Sequence, residues 1–196
     1  MISNLVNLQF KLNGFESQRS NLSGTSLSLY RIKINLALKS FVRVDCMKTE
    51  ILKCGIEYKN EIHSLILEFY ELSVEDPQSE KLKSTLAELL AHPKYGSVFL
   101  IKQINQFIGY AILCFGFSLE YGGRDAFIDE LYIRKDYRNK KIGSEVLDYL
   151  CKYSRTTGLK ALHIEVKEKH KEAERLYERK KFLLKSGKFL SLDLTR

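Results

Sequence analysis

Apolar and polar positions along this chain change period several times, and each change marks an element. Glu50 to Cys54 reads as a short strand. Ile62, Leu65, Ile66 and Phe69 then recur at helical spacing, which predicts a helix from about Tyr58 to Leu72. Ser79 is placed to cap a second helix carrying Leu82, Leu86, Leu89 and Leu90, stopped before Pro93. Val98 to Lys102 and Phe107 to Phe117 read as two strands of a hairpin turning at Ile104-Asn105. After Gly122-Gly123 comes the apolar strand Ala126 to Ile133. A strongly amphipathic helix, Ser144 to Arg155, follows, with Ile142, Val146 and Leu150 on one face and Gly158 where a C-terminal glycine belongs. Leu162, Ile164 and Val166 alternate as a strand, and a helix over about Lys171 to Lys180 buries Ala173, Leu176 and Tyr177. Phe182 to Leu184 and Lys188 to Leu194 predict a closing hairpin at Ser186-Gly187. The order is that of a mixed α/β (α+β) domain.

Residues 1–46 differ from the rest. Asn, Ser and Gly dominate 13–28, and Tyr30 to Lys39 alternates as a half-buried strand does. Residues 47–196 could form a complete domain without them, so 1–46 is expected to be a basic accessory extension, partly disordered, or the product of an upstream start codon. The net charge of +8 is unevenly placed, because that short segment holds six Lys/Arg against Glu16 and Asp45 and leaves only about +4 for the remainder. Such basicity permits a nucleic-acid partner, but no aromatic-basic platform or recognition helix accompanies it, so that partner is disfavoured. The four cysteines include no C-x-x-C pair and no His at metal-ligand spacing, as expected of a reducing cytosol and of a protein without a bound metal. No apolar run reaches membrane-spanning length, so a cytoplasmic location is expected.

Asp136-Tyr137-Arg138-Asn139-Lys140-Lys141-Ile142-Gly143-Ser144 joins the strand Ala126–Ile133 to its helix. A strand, a basic loop and a helix N-terminus make an anion site, since the first helical turn has unpaired N–H groups and a partial positive charge. The Gly-Lys-Ser/Thr of a Walker loop is absent, and so is a dinucleotide fingerprint.

Two motifs, with this element order, resemble the GNAT superfamily of N-acetyltransferases over roughly Met47 to Leu194. Arg138 to Gly143 matches the signature Arg/Gln-x-x-Gly-x-Gly/Ala except at Lys141, where the superfamily has glycine. His170 to Phe182 matches its Asn-x-x-Ala-x-x-Leu-Tyr-x-x-x-Gly-Phe helix, with His170 in place of Asn and Lys181 in place of Gly. The flanks Asp136-Tyr137-Arg138 and Ile142 to Leu147 are similar to those of polyamine (spermidine/spermine-type) acetyltransferases. The resemblance implies a central, mostly antiparallel twisted sheet of six to seven strands flanked by about four helices, and acetyl-CoA as co-substrate. It implies that Arg138, Asn139, Lys140, Lys141, Ile142, Gly143 and Ser144 line the pyrophosphate, that Leu131, Tyr132 and Ile133 face the pantetheine arm, and that His170 contacts the cofactor. A φ > 0 at position 141 would strain lysine where glycine is at ease, so weakened but retained cofactor binding is expected.

Acetyl transfer to an amine requires a deprotonated amine, a donor for the thioester oxygen and a proton for the departing sulfur. By the resemblance, Tyr177 is the acid for the sulfur. Asp129 and Glu130 are the base candidates, expected on opposite faces of their strand as neighbours. Glu130 is favoured as base, with Asp129 structural or substrate-binding and a backbone N–H near Leu131 as the oxyanion donor. Glu120, Asp125, Glu71, Glu75 and Asp76 are further acids that could greet a cation. The expected function is transfer of an acetyl group from acetyl-CoA to a primary amine of a small cationic molecule, polyamine- or aminoglycoside-like, by direct attack in a ternary complex. The alternatives are a protein lysine or N-terminal acetyltransferase and a non-catalytic acyl-CoA sensor; a homodimer is left open.

Overall fold

The computed structural model describes residues 48–166, 171–186 and 190–194. The chain divides into two units, residues 1–48 and Thr49–Arg196, and the described elements all belong to the second. The expectations for residues 1–46 lie outside the described residues. The elements in order are β1 (Thr49–Cys54), α1 (Lys59–Tyr70), α2 (Pro77–Ala91), β2 (Gly96–Gln103), β3 (Gln106–Ser118), β4 (Gly123–Ile133), α3 (Ile142–Thr156), β5 (Leu162–Ile164) and α4 (Lys171–Arg179). Single 3₁₀ turns at Ile56–Tyr58 and Lys135–Tyr137 lead into α1 and out of β4. No described helix is long and apolar enough to cross a membrane.

The strands form one sheet in the order β1-β2-β3-β4-β5, antiparallel except for the parallel pair β4–β5. A core lies on each face. On one, Phe99, Ile101, Ala111, Leu113, Ala126 and Ile128 meet Ile142, Val146, Leu147 and Leu150 of α3. On the other, Val98, Leu100, Tyr110, Ile112 and Tyr132 meet Ile62, Leu65 and Ile66 of α1 and Leu86 of α2. Because β2 and β3 are covered on both sides, their sequences run apolar without alternation. The mixed α/β fold agrees with the reading of the sequence.

Two details differ from it. Asp76, not Ser79, caps α2: its Oδ1 accepts from the Gln78 N–H at 2.8 Å and Pro77 takes the first helical position. Ser79 is buried instead, against the His63 ring at 3.3 Å. Five strands are present among the described residues instead of six to seven, since 182–186 and 190–194 join no sheet. The alternation of Leu190, Leu192 and Leu194 suits a strand face, but these leucines, like Leu183 and Leu184, are exposed. A strand is held by its ladder and by burial of one face, and an alternating sequence supplies neither without a neighbour.

Candidate active site

The site is built where β4 loses its second neighbour. β5 pairs only Ala126, Phe127 and Ile128. From Asp129 to Ile133 the edge of β4 turned away from β3 has no strand beside it among the described residues. The main-chain groups that alternate outward along this edge, those of Leu131 and Ile133, are turned to an extended, amide-bearing ligand in the manner of an added strand, while the Tyr132 carbonyl lies toward Gly109 of β3.

A bulge sits at the start of this open edge. Ile112 of β3 faces Glu130 while the next residue, Leu113, faces Ile128, so Asp129 has no opposite number. The effect shows in which face each residue serves. Ala126 and Ile128 belong to the α3 face, but so do Leu131 and Ile133, while Tyr132 belongs to the α1 face. The extra residue resets the period-two alternation and turns Asp129 and Glu130 toward the same side. This corrects the expectation that the two carboxylates point to opposite faces. In agreement, both raise the Cys114 thiol electrostatically, and both act on Tyr70 of α1.

Glu130 is held by two phenols. Tyr70 Oη donates to Oε1 at 2.5 Å and Tyr110 Oη donates to Oε2 at 2.6 Å. Burial pushes both phenols well above their usual range, and Glu130 adds to the effect, so each remains an O–H donor. Glu68, two residues before Tyr70, makes a bidentate pair with Arg134, Nε to Oε2 at 2.8 Å and Nη2 to Oε1 at 2.5 Å. Arg134 also donates to the Phe107 carbonyl at 2.9 Å. Between these two anchors Phe69 packs its ring against Tyr70, Tyr110 and Tyr132 at 5.0, 6.4 and 5.7 Å. The last turn of α1 is thus fixed over the carboxylates. Sequence reading passed over Tyr70 and Tyr110. The available signal was Tyr110 itself, since a tyrosine within a doubly covered strand needs a partner for its hydroxyl.

Beyond Ile133 the basic loop folds back on its strand and enters α3 through left-handed backbone. Arg138 folds back so that its Nε donates to the Ile133 carbonyl at 2.8 Å, tying loop to strand. Asn139 and Lys141 are both left-handed, at φ 59° and 65°. Lys141 stands as the N-cap of α3 with no side-chain capping bond, while the Glu145 N–H already bonds the Lys141 carbonyl at 3.1 Å. The amides of Ile142, Gly143 and Ser144 are therefore the helix's orphan donors, aimed out of its N-terminus. Gly143 allows a close approach of α4: a Cβ there would stand 3.2 Å from Leu176 Cδ2, a tight contact, and 3.7 Å from Ile133 Cδ1. That contact brings α4 against the first turn of α3, and Lys180, the residue after α4, completes the joint by bonding Asp148 at 2.6 Å.

Tyr177 lies on the inner side of α4, packed on the core cluster of the α3 face and edge-on to Phe182 at 5.8 Å. Its hydroxyl has no hydrogen-bond partner among the described residues, and burial alone raises its ionisation above the usual value. Helix α4 ends in a Schellman motif: the Phe182 N–H reaches the Tyr177 carbonyl at 3.0 Å and the Lys181 N–H reaches Glu178 at 2.9 Å. Lys181 holds the left-handed position, φ 67°, that Gly158 holds at φ 78° after α3. Both lysines that stand where the signature motifs have glycine are thus left-handed. His170 lies outside the described residues. Of the remaining acids, Asp125 pairs with His163 at 3.3 Å and Glu120 with Lys185 at 3.2 Å. Asp76 is spent as the α2 cap, and Glu71 is the left-handed residue ending α1.

The family model described as the acetyltransferase (GNAT) family matches residues 60–182. No curated protein sequence matches the chain. Among solved structures, an integron cassette protein from the mobile metagenome of Cole Harbour Salt Marsh is 25% identical, with a TM-score of 0.64 over 74% of this chain and 90% of that one. A predicted acetyltransferase of Clostridium acetobutylicum, solved with acetyl-CoA, is 16% identical with a TM-score of 0.60 over 76% and 97%. An aminoglycoside acetyltransferase from an uncultured soil sample, in complex with sisomicin, is 14% identical with a TM-score of 0.59 over 74% and 97%.

Proposed function

The chain belongs to the GNAT acetyltransferase family, and from that premise we propose that it acetylates a primary amine of a small cationic molecule, polyamine- or aminoglycoside-like, by direct attack in a ternary complex. Membership makes it an acetyl-CoA-dependent N-acetyltransferase; the acceptor class and the residue roles are our reading. One observation carries it: the open edge of β4 starts at a bulge bearing two carboxylates and runs to the uncapped N-terminus of α3.

The donor's chemistry fits these residues. Acetyl-CoA supplies an acyl group activated as a thioester. Orphan amides of Ile142, Gly143 and Ser144, with Arg138, Asn139, Lys140 and Lys141, take the pyrophosphate, and the helix N-terminus adds its partial charge. Of Leu131, Tyr132 and Ile133, the first and last offer main-chain groups to the amides of the pantetheine arm, while the Tyr132 carbonyl is turned to Gly109 of β3. The Leu131 N–H, next to the bulge, faces the developing negative charge on the acyl oxygen.

An alkylammonium near pKa 10.4 costs about 4–5 kcal/mol to deprotonate at neutral pH, so the acceptor needs a base. Glu130 fills that role, and Asp129 beside it helps hold a cationic acceptor. Tyr177 keeps its proton because it is buried, and its hydroxyl, without a partner among the described residues, donates to the departing sulfur. The thiols argue against a covalent acetyl-cysteine route. Cys114, which lies beside Asp129 and Glu130, is pushed up to about 11, first by burial and then by the two carboxylates, so almost no thiolate exists there at neutral pH. A fold neighbour that holds sisomicin illustrates that this architecture accommodates a polycationic acceptor.

The test is release of coenzyme A thiol from acetyl-CoA with a panel of polyamines, aminoglycosides, amino acids and peptides, after acetyl-CoA has raised the melting temperature. Fastest release is expected with the polycations. Release with peptide amines alone would overturn the acceptor class, and absence of any thermal shift would overturn the cofactor site.

A further inference from the structure

The carboxylate assigned as base is already engaged on both oxygens, and the two donors differ. Tyr110 is fully buried in the sheet and has no freedom to change partners. Tyr70, the last residue of α1, is 41% exposed. Of the two O–H donors on Glu130, only that of Tyr70 stands where an acceptor could meet it. Its ring is held by Phe69 at 5.0 Å, and its Oη to Oε1 distance is 2.5 Å, within the range of a charge-assisted O–H bond to a carboxylate.

We propose that Tyr70 is a further catalytic residue, relaying the proton of the acceptor's ammonium group to Glu130. One N–H bond of the ammonium breaks as a new O–H bond forms on Tyr70 Oη. The original Oη–H bond breaks as an O–H bond forms on Glu130 Oε1. The amine is left neutral with its lone pair free, Tyr70 is unchanged, and Glu130 is a neutral acid. Because burial, and then the hydrogen bond and charge of Glu130, push the Tyr70 phenol above its ordinary value, a free tyrosinate is disfavoured and the two transfers go together. The other groups facing this pair are Asp129 and Tyr132 on β4, Tyr110 and Cys114 on β3, and Glu68 on α1, the last occupied by Arg134.

The relay rests on the reading of Glu130 as the base, and the experiment separates the two. Tyr70→Phe keeps the ring and its contact with Phe69 while removing the hydroxyl. With acetyl-CoA and the best amine of the panel, kcat is expected to fall by about 10²-fold, the size of a lost general-acid/base contribution. KM for acetyl-CoA should stay unchanged. In mixtures of H2O and D2O the wild-type rate should follow a bowed proton inventory, two protons moving together, and that of Tyr70→Phe a straight one. A Tyr70→Phe kcat within twofold of wild type, or a lowered kcat that keeps the bowed inventory, would overturn the relay. If Glu130→Gln loses turnover while Tyr70→Phe does not, the relay is wrong and the base stands. If Glu130→Gln turns over like wild type, the base reading itself falls.

Discussion

Lys141 gives the sharpest stability prediction, because its side chain and its backbone pull in opposite directions. At φ 65° and ψ 0° it sits in the left-handed region at the N-cap of α3. For an L-residue with a Cβ this conformation costs about 1–2 kcal/mol. Glycine removes that strain but loses about 0.5–1 kcal/mol through the freedom it gains in the unfolded chain. Lys141→Gly should therefore stabilise the protein by about 0.5–1 kcal/mol, roughly 1–4 °C in Tm for a chain of this size. Lys141→Ala keeps the strain and should melt below Lys141→Gly by about 1 kcal/mol. At a position with ordinary helical backbone the order of Gly and Ala is reversed. Thermal unfolding followed by far-UV circular dichroism ranks the three proteins. Lys141→Ala melting as high as Lys141→Gly would refute the strain argument. Because the strain is already present without cofactor, it should not weaken binding as the sequence led one to expect; acetyl-CoA affinity should instead fall by about 0.3–1 kcal/mol in both variants as one cation near the helix N-terminus is lost.

Lys181→Gly should stabilise by a similar amount, since Lys181 holds the same left-handed cap after α4, and Gly158→Ala should destabilise; calorimetry that finds both changes neutral would contradict the capping geometry. Tyr177→Phe should lower kcat by about 10²-fold with acetyl-CoA affinity unchanged, and unchanged turnover would remove it as the acid. Arg134 holds the Glu68 carboxyl below its ordinary range, so this pair's contribution is complete above the unfolded value of about 4.3 and fades as pH falls through the lower folded value. The stability advantage of wild type over Glu68→Gln, measured by urea unfolding, should accordingly shrink toward acid pH; an advantage that stays constant down to about pH 2 would contradict the linkage.

How legible each feature was in the sequence depends on how far apart its causes lie. The amphipathic period of Ile142, Val146 and Leu150 is a property of α3 alone, and the Gly158 stop is local, so both were legible. The left-handed backbone at 141 was legible as a question, because lysine stood where glycine is at ease. The bulge at Asp129 was not, since it exists only as a difference in count between two strands and leaves no mark in composition. The partners of Glu130 come from positions 60 and 20 residues away, a separation that no motif records. The closing hairpin is the opposite case: its alternation was plain and its turn lies outside the described residues, but Leu190, Leu192 and Leu194 are exposed and no strand pairs with them among the described residues.

The central claim is that acetyl-CoA lies along the open edge of β4 and ends at the first turn of α3. Amide hydrogen exchange with and without saturating acetyl-CoA tests it most directly. Exchange should slow together at Leu131 to Ile133 and at Ile142 to Ser144, while the exposed α2 surface stays unchanged. Saturation of the protein without protection in either segment would contradict it.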